Sequence, residues 1–363
     1  MKIAIVHDWL TNMGGAERII KVFREMFPEA PIYTLVFNKE KMPDEFKNMD
    51  IRTSFIQKMP FAKTNYQMYL PLMPIAVEQF DLSEYEVILS SSTCCAKGVI
   101  TRTDTLHICY CNTPMRYAWD FYHEYVKGKN IITKSMIAVA MNYIRLWDRV
   151  SADRVDYFIA NSKNVKRRIK KHYRRDAAII YPPVDTEFFT PSDEGEDFYL
   201  VVSRLVPYKR VDLVIEVFNE LGLPLVIIGD GPEFKNYRSM ANDNVSLMGR
   251  LSDKEVREYY RKCRALIFPG EEDFGIVPLE AQSCGRPVIA YGKGGALETV
   301  VEGKTGLFFY KQNKESLKQA VLIFEKEAHK FNREVIRNHA LKFGVNRFKK
   351  EIVEFIKAKL GVE

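Results

Sequence analysis

The sequence predicts an α/β protein with two doubly wound domains, each built on a parallel sheet with helices on both faces. Short continuous apolar runs alternate with amphipathic helical segments, which is the pattern of parallel strands buried on both sides. A chain of 363 residues is also long enough for two domains, at roughly 100–200 residues per domain. A pair of prolines at Pro182 and Pro183 interrupts the alternation and marks the expected join.

The alternation is clearest in the second half of the chain. Five strands are predicted there, at residues 198–205, 225–228, 245–248, 265–268 and 287–291. Three helices are predicted between them, at residues 209–221, 252–263 and 277–283. The middle helix has a clear start signal, because Ser252 is followed three residues later by Glu255, the spacing of a capping box.

The first half begins in the same way, with a strand at 3–6, the pair Gly14-Gly15 and a helix at 16–26. Further strands are predicted at 87–89, 107–111 and 157–160. We therefore expect an N-terminal domain over residues 1–183 and a C-terminal domain over 184–344. A last helix at 347–360 has no strand after it, so the pattern alone allows it to pack on either domain.

Composition places the chain among ordinary globular proteins, with 47% hydrophobic and 28% charged residues. The first apolar run ends at Val6, too short for a signal-peptide core, and no run approaches the roughly 20 apolar residues of a membrane span. The six cysteines show no CxxC pair and no Cys/His metal spacing. We therefore expect a cytoplasmic protein in a reducing compartment without a bound metal.

The net charge of +7 favours anionic partners such as phosphorylated ligands or acidic lipid. It does not by itself indicate nucleic acid, and the sequence carries no recognised nucleic-acid-binding motif.

Polar and glycine-rich segments follow several predicted strands, where ligands bind in open α/β sheets. Gly14-Gly15 precedes a helix, so it is either a phosphate-approach loop or a simple tight turn. Ser203–Arg210 contains Arg204 and Lys209, two cations that suit a diphosphate; a solvated basic loop is the other interpretation.

The segment 271–280 is the most informative. Glu272 lies in a loop, Phe274-Gly275-Ile276 offers backbone amides at a helix start, and Glu280 lies in the first turns of that helix. Carboxylates suit sugar and ribose hydroxyl groups, and helix N-terminal amides suit phosphate, so one segment can hold a nucleotide-sugar at several points. The other interpretation is an acidic loop before an amphipathic helix.

Two more segments are candidates for the same edge of the sheets. Gly292-Lys293-Gly294-Gly295 is either a flexible loop of the ligand crevice or a structural turn. Residues 111–120 follow a strand of the first half, and their polar and aromatic side chains indicate a sugar and acceptor pocket or, alternatively, a loop with packed aromatics.

The order of these segments resembles the retaining GT-B glycosyltransferases of family 4. The matching residues are Gly14-Gly15-Ala16-Glu17, Ser203-Arg204-Leu205 with Lys209, Gly229-Asp230-Gly231-Pro232, and the Glu272/Glu280 pair, which has the family's E-x7-E spacing. The stretches 113–120, 271–280 and 287–298 resemble the branch that makes surface polysaccharides, including O-antigen, from GDP-mannose.

This resemblance implies two Rossmann-like domains facing a cleft, with the C-terminal helix, residues 345–363, crossing back to the N-terminal domain. It implies a retaining, metal-independent transfer of a sugar from a nucleotide-sugar donor to a lipid-linked saccharide acceptor, without a cofactor. By resemblance, Arg204 and Lys209 bind the diphosphate and Glu272 binds the sugar. The further donor-binding residues implied are Gly14, Gly15, Gly231, Arg250, Leu251, Phe274, Gly275, Ile276, Val277 and, on the ribose, Glu280.

One position departs from the family. Where the family has a histidine that contacts the donor sugar, this chain has Asn112, which can donate a hydrogen bond but carries no charge near neutral pH. His107 and His123 are near in sequence but not at that position. Either Asn112 suffices in the natural protein, or the chain is an engineered, weakened variant.

A second expectation concerns the inner face of the cell membrane. Residues 132–147 have apolar side chains at helical spacing, including Met136, Val139, Tyr143 and Trp147, and 163–175 are strongly basic. The pair predicts peripheral contact with anionic lipid through 132–175, or else a core helix beside a solvated basic face.

Other functions remain open at this point. The same architecture serves sugar-nucleotide epimerases, and a family 4 enzyme can use a UDP-sugar. Asn112 is also compatible with a nucleotide-sugar-binding protein of weak activity. A nucleic-acid-binding module has only the basic stretch in its favour.

Overall fold

The computed structural model describes residues 1–192 and 194–361 and divides into two compact units. Unit 1 comprises Met1–Tyr181 together with the C-terminal segment Lys349–Glu363, and unit 2 comprises Pro182–Phe348. The division thus falls between Tyr181 and Pro182, at the proline pair, and again within the last helix.

Unit 1 is built on a seven-stranded sheet whose neighbours are all parallel, in the order β3-β2-β1-β4-β5-β6-β7. Its strands are β1 Ile3–His7, β2 Ile32–Thr34, β3 Ile51–Thr53, β4 Val87–Ser92, β5 Leu106–Cys111, β6 Tyr157–Ala160 and β7 Ala177–Ile179. Its helices are α1 Gly15–Met26, α2 Asp44–Lys47, α3 Ala62–Asn65, α4 Met73–Glu78, α5 Tyr122–Val126, α6 Ile131–Ser151 and α7 Lys163–His172.

Unit 2 has a six-stranded parallel sheet in the order β10-β9-β8-β11-β12-β13. Its strands are β8 Tyr199–Val202, β9 Leu225–Ile228, β10 Val245–Gly249, β11 Ala265–Phe268, β12 Val288–Tyr291 and β13 Gly306–Phe309. Its helices are α8 Val211–Leu221, α9 Phe234–Met240, α10 Asp253–Lys262, α11 Ile276–Ser283, α12 Ala296–Thr299, α13 Lys314–Glu327 and α14 Arg333–Leu341. The last helix, α15 Val345–Leu360, begins in unit 2 and continues in unit 1.

The predicted α/β class with two doubly wound parallel sheets is confirmed. The predicted face of α8 is also correct, since Val211, Val214, Ile215 and Phe218 are all buried against the sheet of unit 2. The capping box of α10 forms as predicted, because Ser252 accepts from the Glu255 amide and the Glu255 carboxylate accepts from the Ser252 amide.

Several predicted boundaries differ from the structure, and two of these differences have a clear physical reason. The strand predicted at 198–205 ends at Val202, because the chain then leaves the ladder to form a loop that bonds to the turn after β9, with the Leu205 amide donating to the Asp230 carbonyl at 3.0 Å. The helix predicted from residue 209 begins at Val211, because Arg210 has a left-handed backbone with φ +56°.

The six cysteines are free and buried. Along the part of the chain that the structure describes, no helix is long and apolar enough to cross a membrane.

Candidate functional site

In unit 2, the candidate donor residues lie at the carboxyl edge of the sheet. Strands β8, β11 and β12 are consecutive neighbours, so the loops that follow them, 203–210, 269–275 and 292–295, emerge side by side. The sheet order therefore brings the basic loop next to the Glu272 loop, as a ligand-binding crevice of an open α/β sheet requires.

Lys209 and Glu272 meet directly across this edge. The Lys209 ammonium forms an ion pair with the Glu272 carboxylate, and the two side chains are 17% and 20% exposed. Because both side chains are largely buried, water screens their charges only weakly, and their attraction is stronger than at the surface. Both remain partly exposed, so a polar ligand can reach them and replace either partner.

Close backbone packing fixes the loops around this pair. A Cβ on Gly231 would lie 2.2 Å from the Leu205 carbonyl oxygen, so the turn after β9 can approach the basic loop only as glycine. Gly294 has a φ of +64°, and a Cβ there would lie 2.4 Å from the Glu272 carbonyl oxygen. That carbonyl accepts from the Gly295 amide at 2.9 Å, so the loops after β11 and β12 are bonded together.

Helix α11 begins beside this loop and directs its N-terminal backbone amides toward the same edge of the sheet. Gly275 is its N-cap, with a φ of +92° and no side-chain cap, while Phe274 is buried. Ile276 and Val277 form the first turn of the helix. Its amides have no intrahelical partner and favour an anion.

The remaining donor candidates of unit 2 differ in accessibility. Glu280 is buried and accepts a hydrogen bond from the Tyr260 hydroxyl at 2.9 Å. Arg204 is exposed in the basic loop. Arg250 is exposed and Leu251 is partly buried in the core of unit 2, both after β10, which is separated from β8 by β9.

In unit 1, Asn112 lies at the carboxyl end of β5 and is held by hydrogen bonds on both sides. Its Nδ2 donates to the Ser91 hydroxyl at 3.0 Å, and its carbonyl accepts from Asn161 Nδ2 at 2.8 Å. Gly14 is the N-cap of α1, and Gly15 is its first residue. A Cβ on Gly14 would lie 2.8 Å from a Glu17 carboxylate oxygen, so glycine makes room for that side chain.

Three polar side chains at this edge, His7, Asp8 and Ser91, were missed by the sequence analysis, and Glu17 was named only within the Gly14–Glu17 match, without a role of its own. His7 ends β1 and is buried; its Nδ1 lies 3.0 Å from the Ser91 carbonyl oxygen, and its Nε2 lies 3.7 Å from Glu17 Oε1. Ser91, which accepts from Asn112, thus also contacts His7. The sequence did contain one signal for these residues: the polar pair His7-Asp8 directly follows an apolar strand, which is where ligand-binding residues of open α/β sheets lie.

The His7 imidazole is held in a charged environment. Burial alone lowers the pKa of His7, but the Glu17 carboxylate, with smaller help from Asp8, raises the pKa above its ordinary value of 6.5. Since Nδ1 donates to a carbonyl, a second proton on Nε2 faces Glu17. The pair therefore places an imidazole with a raised pKa beside a carboxylate at the carboxyl edge of β1.

Asp8 organises the neighbouring loop. Its two carboxylate oxygens accept from the four consecutive amides of Thr93, Cys94, Cys95 and Ala96, at 2.6–2.9 Å. This arrangement fixes the loop that follows Ser91 and Ser92 at the end of β4.

The histidine nearest in sequence to Asn112 lies in a different environment. His107 is buried within β5 and bonds to the Ser90 hydroxyl at 2.8 Å. Because His107 lies within the sheet and not at its edge, burial lowers its pKa to about 3, and the imidazole is neutral. Within residues 1–192 and 194–361, no group of three or more His, Cys, Asp or Glu side chains is placed to hold a metal ion.

Two family models match consecutive parts of the chain. Residues 13–188 match glycosyltransferase family 4, and residues 185–342 match the glycosyl transferases group 1. The first covers most of unit 1, and the second covers the sheet and donor candidates of unit 2.

Individual proteins give a similar result. An uncharacterized glycosyltransferase of Methanocaldococcus jannaschii is 35% identical over 46% of this chain, and the match spans only about half of that relative, 49% of its length. An alpha-1,3/1,6-mannosyltransferase of Saccharomyces cerevisiae is 25% identical over 95% of this chain and 80% of its own length. A GDP-mannose-dependent alpha-(1-6)-phosphatidylinositol monomannoside mannosyltransferase of Mycolicibacterium smegmatis is 31% identical over 47% of this chain and 52% of its own.

Solved structures share the fold at low identity. HepE of Anabaena, in complex with UDP, covers 99% of this chain and 100% of its own with a TM-score of 0.73 at 17% identity. Sucrose-phosphate synthase of Thermosynechococcus elongatus gives 0.77 at 14%, with the same coverage. The chain is thus similar, in sequence order, to glycosyltransferase family 4 in its first half and to the glycosyl transferases group 1 in its second, and its two parallel-sheet units have the fold of GT-B glycosyltransferases.

Proposed function

We propose that the protein is a retaining, metal-independent α-mannosyltransferase that moves mannose from GDP-mannose to a lipid-linked saccharide in surface polysaccharide biosynthesis. The observation that carries this proposal is the Lys209–Glu272 pair beside the first turn of α11. A cation, a carboxylate and the N-terminal amides of a helix in one place match a diphosphate joined to a sugar. The names of the yeast and mycobacterial relatives support mannose, and the latter supports GDP.

The ion pair suggests how the donor is received. When the diphosphate enters, Lys209 turns from Glu272 to the phosphate oxygens, and Glu272 becomes free to accept hydrogen bonds from sugar hydroxyl groups. Neither charge is left unpaired in the complex. Because both groups are already held in the loops that follow the adjacent strands β8 and β11, little reorganisation is needed.

The transfer itself breaks the bond between the anomeric carbon and the diphosphate oxygen. The acceptor hydroxyl attacks from the face that the leaving group vacates, and its proton passes to the departing phosphate oxygen. Lys209 and Arg204 stabilise the negative charge that grows on the diphosphate. In unit 1, the uncharged side-chain amide of Asn112 is oriented by its hydrogen bond to the Ser91 hydroxyl.

The first test is calorimetric binding of GDP, UDP and ADP without added metal. Selective binding of GDP supports the proposal. Preference for UDP would replace the donor by a UDP-sugar and retain the site. If none of the three binds, the donor site is wrong.

The site is tested by Lys209→Ala. A charge-assisted hydrogen bond contributes about 1.5–3 kcal/mol, so GDP binding is expected to weaken roughly 10- to 150-fold, with at least as large a loss of turnover. Lys304→Ala, an exposed lysine of unit 2, is the matched control and should leave both unchanged. Wild-type affinity and turnover in Lys209→Ala would contradict the assignment.

The second candidate is a nucleotide-sugar-binding protein of weak activity, favoured by Asn112 alone. Donor binding without transfer to any lipid-linked acceptor would support it. Measurable transfer that falls in Lys209→Ala would exclude it.

A further inference from the structure

Helix α6 carries a continuous apolar stripe on its outer face. Seven large apolar side chains of this helix are exposed by 43–79%: Ile131, Ile132, Met136, Val139, Tyr143, Leu146 and Val150. From residue 132 on, their spacing alternates between three and four residues, so they lie along one side of the helix.

Other long helices of the chain do not show this. Helix α13 exposes one large apolar residue, Ile323, and α15 exposes Val353 and Leu360 only slightly beyond one third. Single exposed apolar residues are normal on a protein surface, whereas a row of seven marks an interaction site.

The helix is firmly held by its inner face, so the stripe does not result from loose packing. Met141 and Ile144 are buried in the core of unit 1. Asp148 is fully buried and accepts from Lys97 Nζ at 2.5 Å, Trp119 Nε1 at 2.7 Å and the Tyr173 hydroxyl at 3.1 Å.

Trp147 belongs to this inner side. Its Nε1 donates to Glu78 at 2.8 Å, so the expectation that Trp147 shares the apolar face with Met136, Val139 and Tyr143 was wrong. The exposed apolar face instead continues through Leu146 and Val150, and Trp147 packs against the core of unit 1.

The apolar surface continues beyond the helix. A short 3-10 helix, Tyr66–Leu72, contacts α6 and exposes Met68, and the segments on either side of it expose Phe61 and Ile75. The exposed fractions of these three side chains are 55%, 74% and 46%.

Positive charge predominates around the stripe, although Glu124 before the helix and Asp153 after it are exposed, and Asp153 pairs with Arg149 at 2.9 Å. Residues 125–147 contain Lys127, Lys129, Lys134 and Arg145 and no Asp or Glu. The one acidic residue of α6 is Asp148, which is buried with Lys97. An apolar face with lysines at its N-terminal half and no acid along residues 125–147 matches the headgroup region of an anionic bilayer, whereas binding another protein would not require this excess of positive charge.

The basic helix α7 has a different character. Its apolar residues Val165 and Ile169 are buried, and the exposed ones are lysines and arginines. Arg168 and His172 are both engaged with Asp120. Helix α7 therefore adds positive charge but offers no apolar face to insert.

We infer that the outer face of α6 is a membrane-docking surface that lies flat in the headgroup region of an anionic bilayer. The helix has 21 residues, which at about 1.5 Å per residue allows a long contact parallel to the membrane. Docking itself needs no donor. Its role, to hold unit 1 at the bilayer that contains the lipid-linked acceptor, rests on the proposed function.

The test is co-sedimentation with vesicles of phosphatidylcholine alone and of phosphatidylcholine with phosphatidylglycerol. The wild-type protein is expected to bind the anionic vesicles, and less at high salt. Val139→Glu should weaken binding at least tenfold. Ile323→Glu, an equal change at an exposed apolar position of unit 2, should not. Equal binding by all three proteins would overturn the inference.

A second measurement follows insertion directly. The native cysteines are buried, so Val139→Cys can be labelled selectively with a polarity-sensitive dye. A blue shift on anionic vesicles supports docking. A blue shift that depends on protein concentration without vesicles, together with dimers in light scattering, would instead assign the face to a second copy of the chain.

These results separate docking from the proposed function. GDP binding by Val139→Glu should equal that of the wild type, because the stripe lies outside the donor site. Loss of vesicle binding with normal GDP binding supports docking. Vesicle binding by a protein that binds no nucleotide would keep the docking surface and refute the transferase.

Discussion

At the scale of single residues, the His7–Glu17 pair is the least expected feature of unit 1. The two side chains come from the end of β1 and the first turn of α1, ten residues apart, and the segment between them contains Gly14 and Gly15. A buried imidazole is normally neutral, because burial disfavours its charged form. Here the carboxylate reverses that preference.

Glu17→Gln should therefore lower the pKa of His7, since burial then acts without compensation. A ¹⁵N NMR titration of the imidazole rings measures this, with His7→Asn used to assign the signal. Glu29→Gln, an exposed acid after α1, is the control. An unchanged His7 pKa in Glu17→Gln would show that the carboxylate does not hold the proton.

The sign of the linked stability follows from the raised pKa. The contribution of the pair is fully present below about pH 6.5 and is lost as the pH rises through the folded-state value.

Single residues also show what a sequence can and cannot predict. Glu272 and Lys209 were predicted because each follows an apolar strand within a distinctive segment, and the structure brings them together. His7 was missed and Glu17 was given no role because spacing predicts neither their contact nor that of Ser91, which meets His7 only through the pairing of β1 with β4. Asn112 was identified by family resemblance, but its hydrogen bond to Ser91 is seen only in the structure.

At the scale of elements, one buried ion pair helps to hold α6 against unit 1, in addition to the apolar contacts of its inner face. Lys97 and Asp148 are 1% and 0% exposed, and the Lys97 ammonium also donates to Ser151. Burial and the Asp148 carboxylate act in opposite directions on the pKa of Lys97, and the net effect raises it, so the lysine is charged.

Lys97→Met should destabilise unit 1 by about 3–5 kcal/mol, because Asp148 is then left charged and buried. Urea unfolding followed by circular dichroism measures the loss. The double variant Lys97→Met/Asp148→Asn should recover part of it, since no unpaired charge remains. If the single variant unfolds like the wild type, the pair does not anchor the helix.

Elements were predictable where a signal was strong and local. Helices α8 and α10 were predicted from periodicity and a capping box. The strands β2, β3 and β7 have three residues each, too few for any periodic pattern, and they exist because the adjacent strand supplies their hydrogen bonds. The stripe on α6 was visible as periodicity, but only the structure shows that it faces outward.

At the scale of the whole molecule, unit 1 is discontinuous in sequence. Its last part is the C-terminal portion of α15, where Ile352 and Ile356 are buried, and Lys349 pairs with Glu25 at 2.8 Å. The Lys359 ammonium lies 4.4 Å from the Tyr157 ring centroid.

Deleting residues 349–363 should destabilise unit 1 by about 3–6 kcal/mol, the contribution of burying two isoleucine side chains. Unit 2 should keep its GDP affinity, so calorimetry reports unit 2 while urea unfolding reports unit 1. Deleting only 361–363 is the control. Equal loss of both properties would show that the two units unfold together.

The same discontinuity has a consequence during synthesis. The ribosome makes Met1–Tyr181 first but must translate all of Pro182–Phe348 before it reaches the segment that completes unit 1. At about 5–20 residues per second, this interval lasts roughly 10–30 s. Throughout it, the surface that Ile352 and Ile356 later cover stays open on the nascent chain, where a chaperone can bind it.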